Sequence, residues 1–141
     1  MVMVTENADA YLEVDNLVKY FGDDKAVDGI SFGIPKGAFL TLLGPSGCGK
    51  TTTLMSIAGL HSIDGGRIRV GETVFTSPKE GLFLPPEKRD IGMVFQSYAI
   101  WPHMTVAQNV AYPLEIREWQ RSDIDDRVAE VLKLVGLTDW A

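Results

Sequence analysis

An α/β protein of a single domain is what this sequence predicts, from three observations. Short apolar runs bounded by turn residues fill the first two-thirds. A glycine-rich loop stands between one such run and a group of good helix formers. The last third carries apolar residues at helical spacing. The chain has 141 residues, 45% hydrophobic and 23% charged, the balance of one ordinary folded domain. Its formal charge of −6 argues against a nucleic-acid partner held by bulk charge. Cys48 is the only cysteine, which excludes a disulfide framework and a cysteine-based structural zinc site within the chain. The longest nearly apolar stretch, residues 38–43, is far short of the roughly 20 residues of a membrane-spanning helix. The start, MVMVTENADA, lacks the basic opening and apolar core of a secretory signal, so a cytoplasmic protein is expected.

The elements follow in order. Residues 1–9 read as a frayed end, within an N-terminal tail of residues 1–10. Leu12, Val14 and residues 17–21 predict a first strand, Gly22-Asp23-Asp24 a turn, and residues 26–34 a returning strand. After Pro35-Lys36-Gly37, the run Ala38-Phe39-Leu40-Thr41-Leu42-Leu43 has the pattern of a strand buried on both faces. Residues 50–60 predict a helix ending near Gly59, Asp64-Gly65-Gly66 a hairpin-type turn into residues 67–70, and residues 73–75 a strand to pair with it. Pro78, Pro85 and Pro86 make residues 77–89 a loop, and residues 90–96 read as another strand. Thr105 with Gln108 has capping-box spacing, and Val106, Val110 and Leu114 then share a face. Pro113 predicts a kink or a break. A second helix starts at Ser122, with Ile124, Val128, Val131, Leu132 and Val135 on one stripe and Gly136 as its stop.

The loop carries the chemistry. Gly44-Pro45-Ser46-Gly47-Cys48-Gly49-Lys50-Thr51 fits G-x-x-x-x-G-K-[ST] at every fixed position. Glycines let the backbone wrap closely and turn successive N–H groups inward, which makes a cradle for phosphate oxygens. Lys50 sets a compact positive charge against the β- and γ-phosphates. The Thr51 hydroxyl can ligate Mg²⁺, and the helix N-terminus that follows favours anions. Four fixed positions arise by chance in roughly one chain in a hundred of this size, so context matters: an apolar run leads in and a helix leads out. The plainer alternative is a glycine-rich turn that binds nothing. A dinucleotide fold fits worse, because Gly47-Cys48-Gly49 has no glycine three places on. Cys48 reads as a tolerated small side chain in the loop and not as a nucleophile.

A phosphate-loop hydrolase also needs a carboxylate for the metal and a group that orients water. The usual carrier is an apolar strand ending in Asp or Glu. Here the apolar runs end at Gly44, Gln96 and Gly136, so the expectation is either binding without hydrolysis or a machine completed beyond these residues.

Four blocks taken in order resemble a known family. These are Val18-Lys19-Tyr20-Phe21-Gly22, Ala26-Val27-Asp28-Gly29-Ile30-Ser31-Phe32, residues 44–52, and Gly92-Met93-Val94-Phe95-Gln96-Ser97-Tyr98. Together they are similar to the N-terminal half of an ATP-binding cassette (ABC transporter) ATPase subunit, from about residue 12 to the end. Pro85-Pro86-Glu87-Lys88-Arg89-Asp90 and Trp101-Pro102-His103-Met104-Thr105-Val106 resemble the bacterial importer branch that serves polyamines, ferric iron and sugars. That family's LSGGQ signature, metal-binding carboxylate, catalytic glutamate and switch histidine all lie downstream of the matched region. An N-terminal fragment without catalytic residues of its own is therefore expected, and neither His61 nor His103 matches the switch histidine.

The resemblance implies a partial P-loop NTPase core with an antiparallel β subdomain and the start of a helical subdomain. Residues 11–141 would be the N-terminal part of the ATPase domain, with the helical part beginning at about residue 97. It implies ATP and Mg²⁺ as ligands. ATP would meet Gly44, Pro45, Ser46, Gly47, Cys48, Gly49, Lys50, Thr51 and Thr52. Phe21 would stack on adenine, with Tyr20 as the fallback. Gln96 would ligate Mg²⁺ beside Thr51 and sense the γ-phosphate, as an accessory to catalysis. The segment from Tyr98 to Val110 would receive transmembrane permease subunits, and a second ATPase copy would complete each site at the cytoplasmic face of the plasma membrane. Read without the family, Phe21 and Tyr20 are equally core side chains and Gln96 a polar strand end. A regulatory module that binds nucleotide without hydrolysis is the alternative function. A small kinase of another phosphate-loop class leaves the Gln96 block and the first two strands unexplained.

Overall fold

The computed structural model describes residues 10–97 and 99–138. The expected frayed end, residues 1–9, and Tyr98 lie outside the described residues. The chain divides into two compact units, residues 1–93 and 94–141.

The first unit is built on a five-stranded antiparallel sheet in the order Asp24–Pro35, Ala10–Phe21, Gly65–Val70, Thr73–Ser77 and Leu82–Phe83. Strands β1 (Ala10–Phe21) and β2 (Asp24–Pro35) form the expected hairpin, with Phe21 opposite Asp24 across a two-residue turn. Strand β1 breaks strict alternation, since Val14 and Leu17, three residues apart, are both buried. A bulge reconciles them: Asn16 takes a left-handed φ of 47°, its N–H donates to Ser31 Oγ at 2.8 Å, and the register slips between Val14 and Leu17. The extra residue returns Leu17 to the core face, and Lys19 and Phe21 follow it at period two. Val14, Leu17, Val27, Phe32, Ile63, Ile68 and Phe75 make the core. Each large side chain buried there contributes about 1.5–3 kcal/mol.

Helix α1 (Lys50–Ala58) leads out of the glycine-rich loop, and its Ile57 packs against that core. It stops at Gly59 as predicted. Gly59 is left-handed at φ 82°, its N–H bonds Ser56 O at 3.1 Å, and Leu60 N–H bonds Met55 O at 2.9 Å, the two bonds of a Schellman cap. Strand β3 (Gly65–Val70) begins at the glycines expected to turn and pairs with β1, not with the segment before it. Strand β4 (Thr73–Ser77) pairs with β3 as expected. The expected loop over residues 77–89 holds two short 3₁₀ turns and the two-residue strand β5 (Leu82–Phe83).

Two expected strands do not form. Residues 38–43 and 91–95 have no strand structure, and Phe39 and Leu43 are 94% and Val94 98% exposed. A strand exists only through hydrogen bonds to a neighbour, and no strand among the described residues pairs with either run.

The second unit is a helix pair. Helix α2 (Val106–Ile116) carries the predicted capping box in full: Gln108 N–H donates to Thr105 Oγ1 at 3.1 Å and Thr105 N–H to Gln108 Oε1 at 2.8 Å. It runs through Pro113 without breaking, so only the bond back to Asn109 is lost. Its inner face is Ala107, Val110, Ala111 and Leu114. Val106 is exposed, one position off the expected face. Helix α3 (Arg121–Leu134) starts a residue before Ser122 and buries Ile124, Val128 and Leu132. Val135 is exposed beyond its end, and Gly136 closes it with a left-handed φ of 71°. No helix among the described residues is long and apolar enough to cross a membrane.

Candidate functional site

The glycine-rich loop, residues 44–49, enters α1 through Gly49, whose φ is 87°. A Cβ there would lie 2.4 Å from the carbonyl oxygen of Ala26 on β2, so only glycine lets the loop pack on the hairpin at this point. No side chain caps α1, which leaves its first-turn N–H groups free for an outside acceptor. The Lys50 ammonium folds back over the loop and donates to Gly44 O at 2.8 Å and Pro45 O at 2.6 Å. It also reaches Cys48 Sγ at 3.4 Å. The Cys48 thiol is exposed. Thr51 is exposed on the first turn and Thr52 half-buried. Thr53 turns inward and bonds Gly49 O at 2.9 Å, which anchors the loop from below. An open cleft of about 900 Å³ lies beside the loop, lined by Lys25–Ser31 of β2, residues 40–45 and the loop itself. At its rim, Asp28 at 2.9 Å raises the pKa of the Lys25 ammonium by hydrogen bonding.

Uncapped N–H groups and the Lys50 ammonium, which contacts no carboxylate among the described residues, are donors of the kind that suit an anion. The ammonium is satisfied by backbone carbonyls that a stronger acceptor can displace.

Phe21 stands at the end of β1, 47% exposed. Lys19 Nζ lies over its ring, 5.3 Å from the centroid, and the His61 ring meets it at 79° with centroids 5.3 Å apart. Tyr20, the fallback platform, is also exposed and has Lys25 Nζ 5.5 Å from its ring centroid. Gln96 is exposed in an irregular stretch of the second unit. The expected strand before it does not form, so Gln96 is not a strand end here.

Of the partner segment from Tyr98 to Val110, residues 99–110 are described. Asn109 organises them. Its Oδ1 accepts from Trp101 N–H at 2.7 Å, and its Nδ2 lies 3.1 Å from Trp101 O and 2.9 Å from Thr105 O. Trp101 is exposed and makes an edge contact with Tyr112 at 5.8 Å.

Sequence reasoning missed two charged residues of the first unit. Asp64 accepts the Tyr20 N–H at 2.7 Å and lies 3.4 Å from Lys19 Nζ. The backbone bond from Tyr20, helped by Lys19, holds its carboxyl below the usual carboxylate range. Arg89 is 2% exposed and has no carboxylate partner among the described residues. Its Nε donates to Leu84 O at 2.7 Å, Nη1 to Ser56 O and Ile57 O at 2.9 and 2.8 Å, and Nη2 to Thr76 Oγ1 at 2.8 Å. Phe75 and Phe83 each place a ring centroid 5.2 Å from the guanidinium. Burial lowers the Arg89 pKa, and the negative end of the α1 dipole offsets that cost. Lys19, the partner of Asp64, stands two residues from Leu17 and two from Phe21, a period-two signal that the strand reading left unused. Arg89, in a proline-rich stretch, carries no comparable signal.

The profile of the ABC transporter family matches residues 27–141. The trehalose/maltose import ATP-binding protein of Thermococcus litoralis is 53% identical over 121 residues, 86% of this chain and 32% of that protein. The spermidine/putrescine import ATP-binding protein of Pseudomonas aeruginosa is 48% identical over 128 residues, 91% of this chain and 34% of that protein. The diacetylchitobiose uptake system ATP-binding protein of Streptomyces coelicolor is 46% identical over 122 residues, 86% of this chain and 31% of that protein. The chain thus spans about a third of the length of these curated relatives.

Proposed function

The chain belongs to the ABC transporter family, and we propose that it is the nucleotide-binding front of an importer's ATP-binding subunit. The observation that carries this reading is the Lys50 ammonium held inside a glycine-rich loop at an uncapped helix N-terminus. MgATP enters with its β- and γ-phosphates over residues Gly44 to Thr52, and Lys50 exchanges its carbonyl partners for phosphate oxygens. Thr51, exposed on the first turn of α1, would provide an oxygen for the Mg²⁺ that accompanies the nucleotide. Adenine stacks on the open part of Phe21.

In the whole protein, ATP binding and hydrolysis are coupled to solute uptake. Transmembrane permease subunits dock on the segment from Tyr98 to Val110, and the Asn109 clamp that shapes residues 101–105 supports this. A second copy completes each nucleotide site, and the subunit sits peripherally on the cytoplasmic face of the plasma membrane. The relatives' names span two sugar systems and a polyamine system, so the solute is chosen elsewhere than in this stretch. Residues 1–141 alone bind nucleotide and hydrolyse it negligibly, because none of the apolar runs, which end at Gly44, Gln96 and Gly136, ends in a carboxylate to complete the metal shell.

Cys48 supplies the test. Its exposed thiol lies within the cradle, so saturating MgATP slows its alkylation by N-ethylmaleimide. Equal labelling rates with and without MgATP contradict the assignment.

A further inference from the structure

Lys19 is a charged residue on a core face, 8% exposed. Three contacts fix it. Asp64 Oδ2 lies 3.4 Å from its ammonium, Ser62 Oγ accepts from it at 3.4 Å, and the ring centroid of Phe21 is 5.3 Å away. Asp64 also accepts the N–H of Tyr20 at 2.7 Å, and its own N–H donates to Val18 O at 2.9 Å. Residues 61–64 follow directly from the Gly59 cap of α1, so they stitch the end of β1 to the helix that the glycine-rich loop opens.

We infer that Lys19, held by Asp64 and Ser62, is a positioning residue for the nucleobase: it fixes the plane of Phe21 and loads one region of its ring with positive charge. The inference rests on the proposed adenine platform at Phe21. A cation over an aromatic ring is attracted by the ring's negative face. The same contact draws electron density from the ring and improves its stacking on an electron-rich base. It also restricts the ring to one orientation, so less freedom is lost when a base arrives. The His61 ring, at 79° to Phe21, limits rotation from another side. Phe21 keeps 47% of its surface open for the base.

The experiment compares a ligand with a base and one without. Dissociation constants for MgATP and for magnesium tripolyphosphate are measured on the chain by calorimetry, for wild type, Lys19→Met, Lys19→Arg and Phe21→Ala. Lys19→Met is expected to weaken MgATP by about threefold to tenfold while tripolyphosphate stays within about twofold of wild type. Lys19→Arg keeps the cation over the ring and restores MgATP. Tripolyphosphate binding in the same sample reports an intact cradle, so loss of both ligands together in Lys19→Met overturns the inference, as does unchanged MgATP binding. If Phe21→Ala loses MgATP selectively and Lys19→Met does not, the platform stands and the role of Lys19 fails. If Phe21→Ala spares MgATP, the platform fails and the inference with it.

Discussion

Residues 10–35 and residues 38–43 are near neighbours in the chain, and the second set is the more apolar, yet only the first forms strands. Strands β1 and β2 pair with each other, and β1 pairs again with β3, so Val14 and Leu17 are sealed. The run that leads into the glycine-rich loop has no pairing, and Phe39 and Leu43 stand in the open. An apolar pattern specifies that a segment is to be covered. It does not supply the neighbour that covers it. The antiparallel sheet is self-sufficient because each strand finds its partner within residues 10–83. The run that leads into the glycine-rich loop finds no such partner among the described residues.

That contrast can be broken at defined places. The largest effect is expected at Arg89, which ties the end of α1 to β4 and β5. Arg89→Met strands the carbonyls of Ser56, Ile57 and Leu84 and should cost about 3–5 kcal/mol, read as a lower urea midpoint. Next, Leu17→Ala should cost about 2–5 kcal/mol, whereas Phe39→Ala, equally apolar, should stay within about 0.5 kcal/mol. Comparable losses from the two would mean that residues 38–43 are covered in solution. The smallest effect is that of pH on Asp64, whose carboxyl is held below its ordinary value of 3.8. Its contribution is fully present above that value and is lost as pH falls through the lower folded value. Acid titration of Asp64→Asn should therefore show a shallower fall in stability below about pH 4 than wild type.

What was legible in the sequence was what is local. The hairpin at Gly22-Asp23, the cap at Gly59 and the capping box at Thr105 all follow from short spacings, and each is present. The glycine-rich loop was equally legible, because the backbone conformation it needs is written in its glycines. Contacts between distant residues were not. Arg89 gathers acceptors from residues 56, 57, 76 and 84, and no spacing encodes that. The strands expected at residues 38–43 and 90–96 were read from burial patterns alone, which imply a partner without naming it. The helix faces were placed to within one residue: Ala107 replaces Val106 because α2 turns that side toward Ile124, Val128 and Leu132. Pro113 does not end α2, because a single missing N–H removes one bond from a helix packed along its length.

The central claim is that the loop at residues 44–51 holds nucleotide through Lys50. Calorimetric titration of MgATP into the chain and into Lys50→Ala tests it most directly. The variant loses a charge-assisted hydrogen bond worth about 1.5–3 kcal/mol, so its affinity should fall by at least about tenfold. An affinity within twofold of wild type would contradict the account.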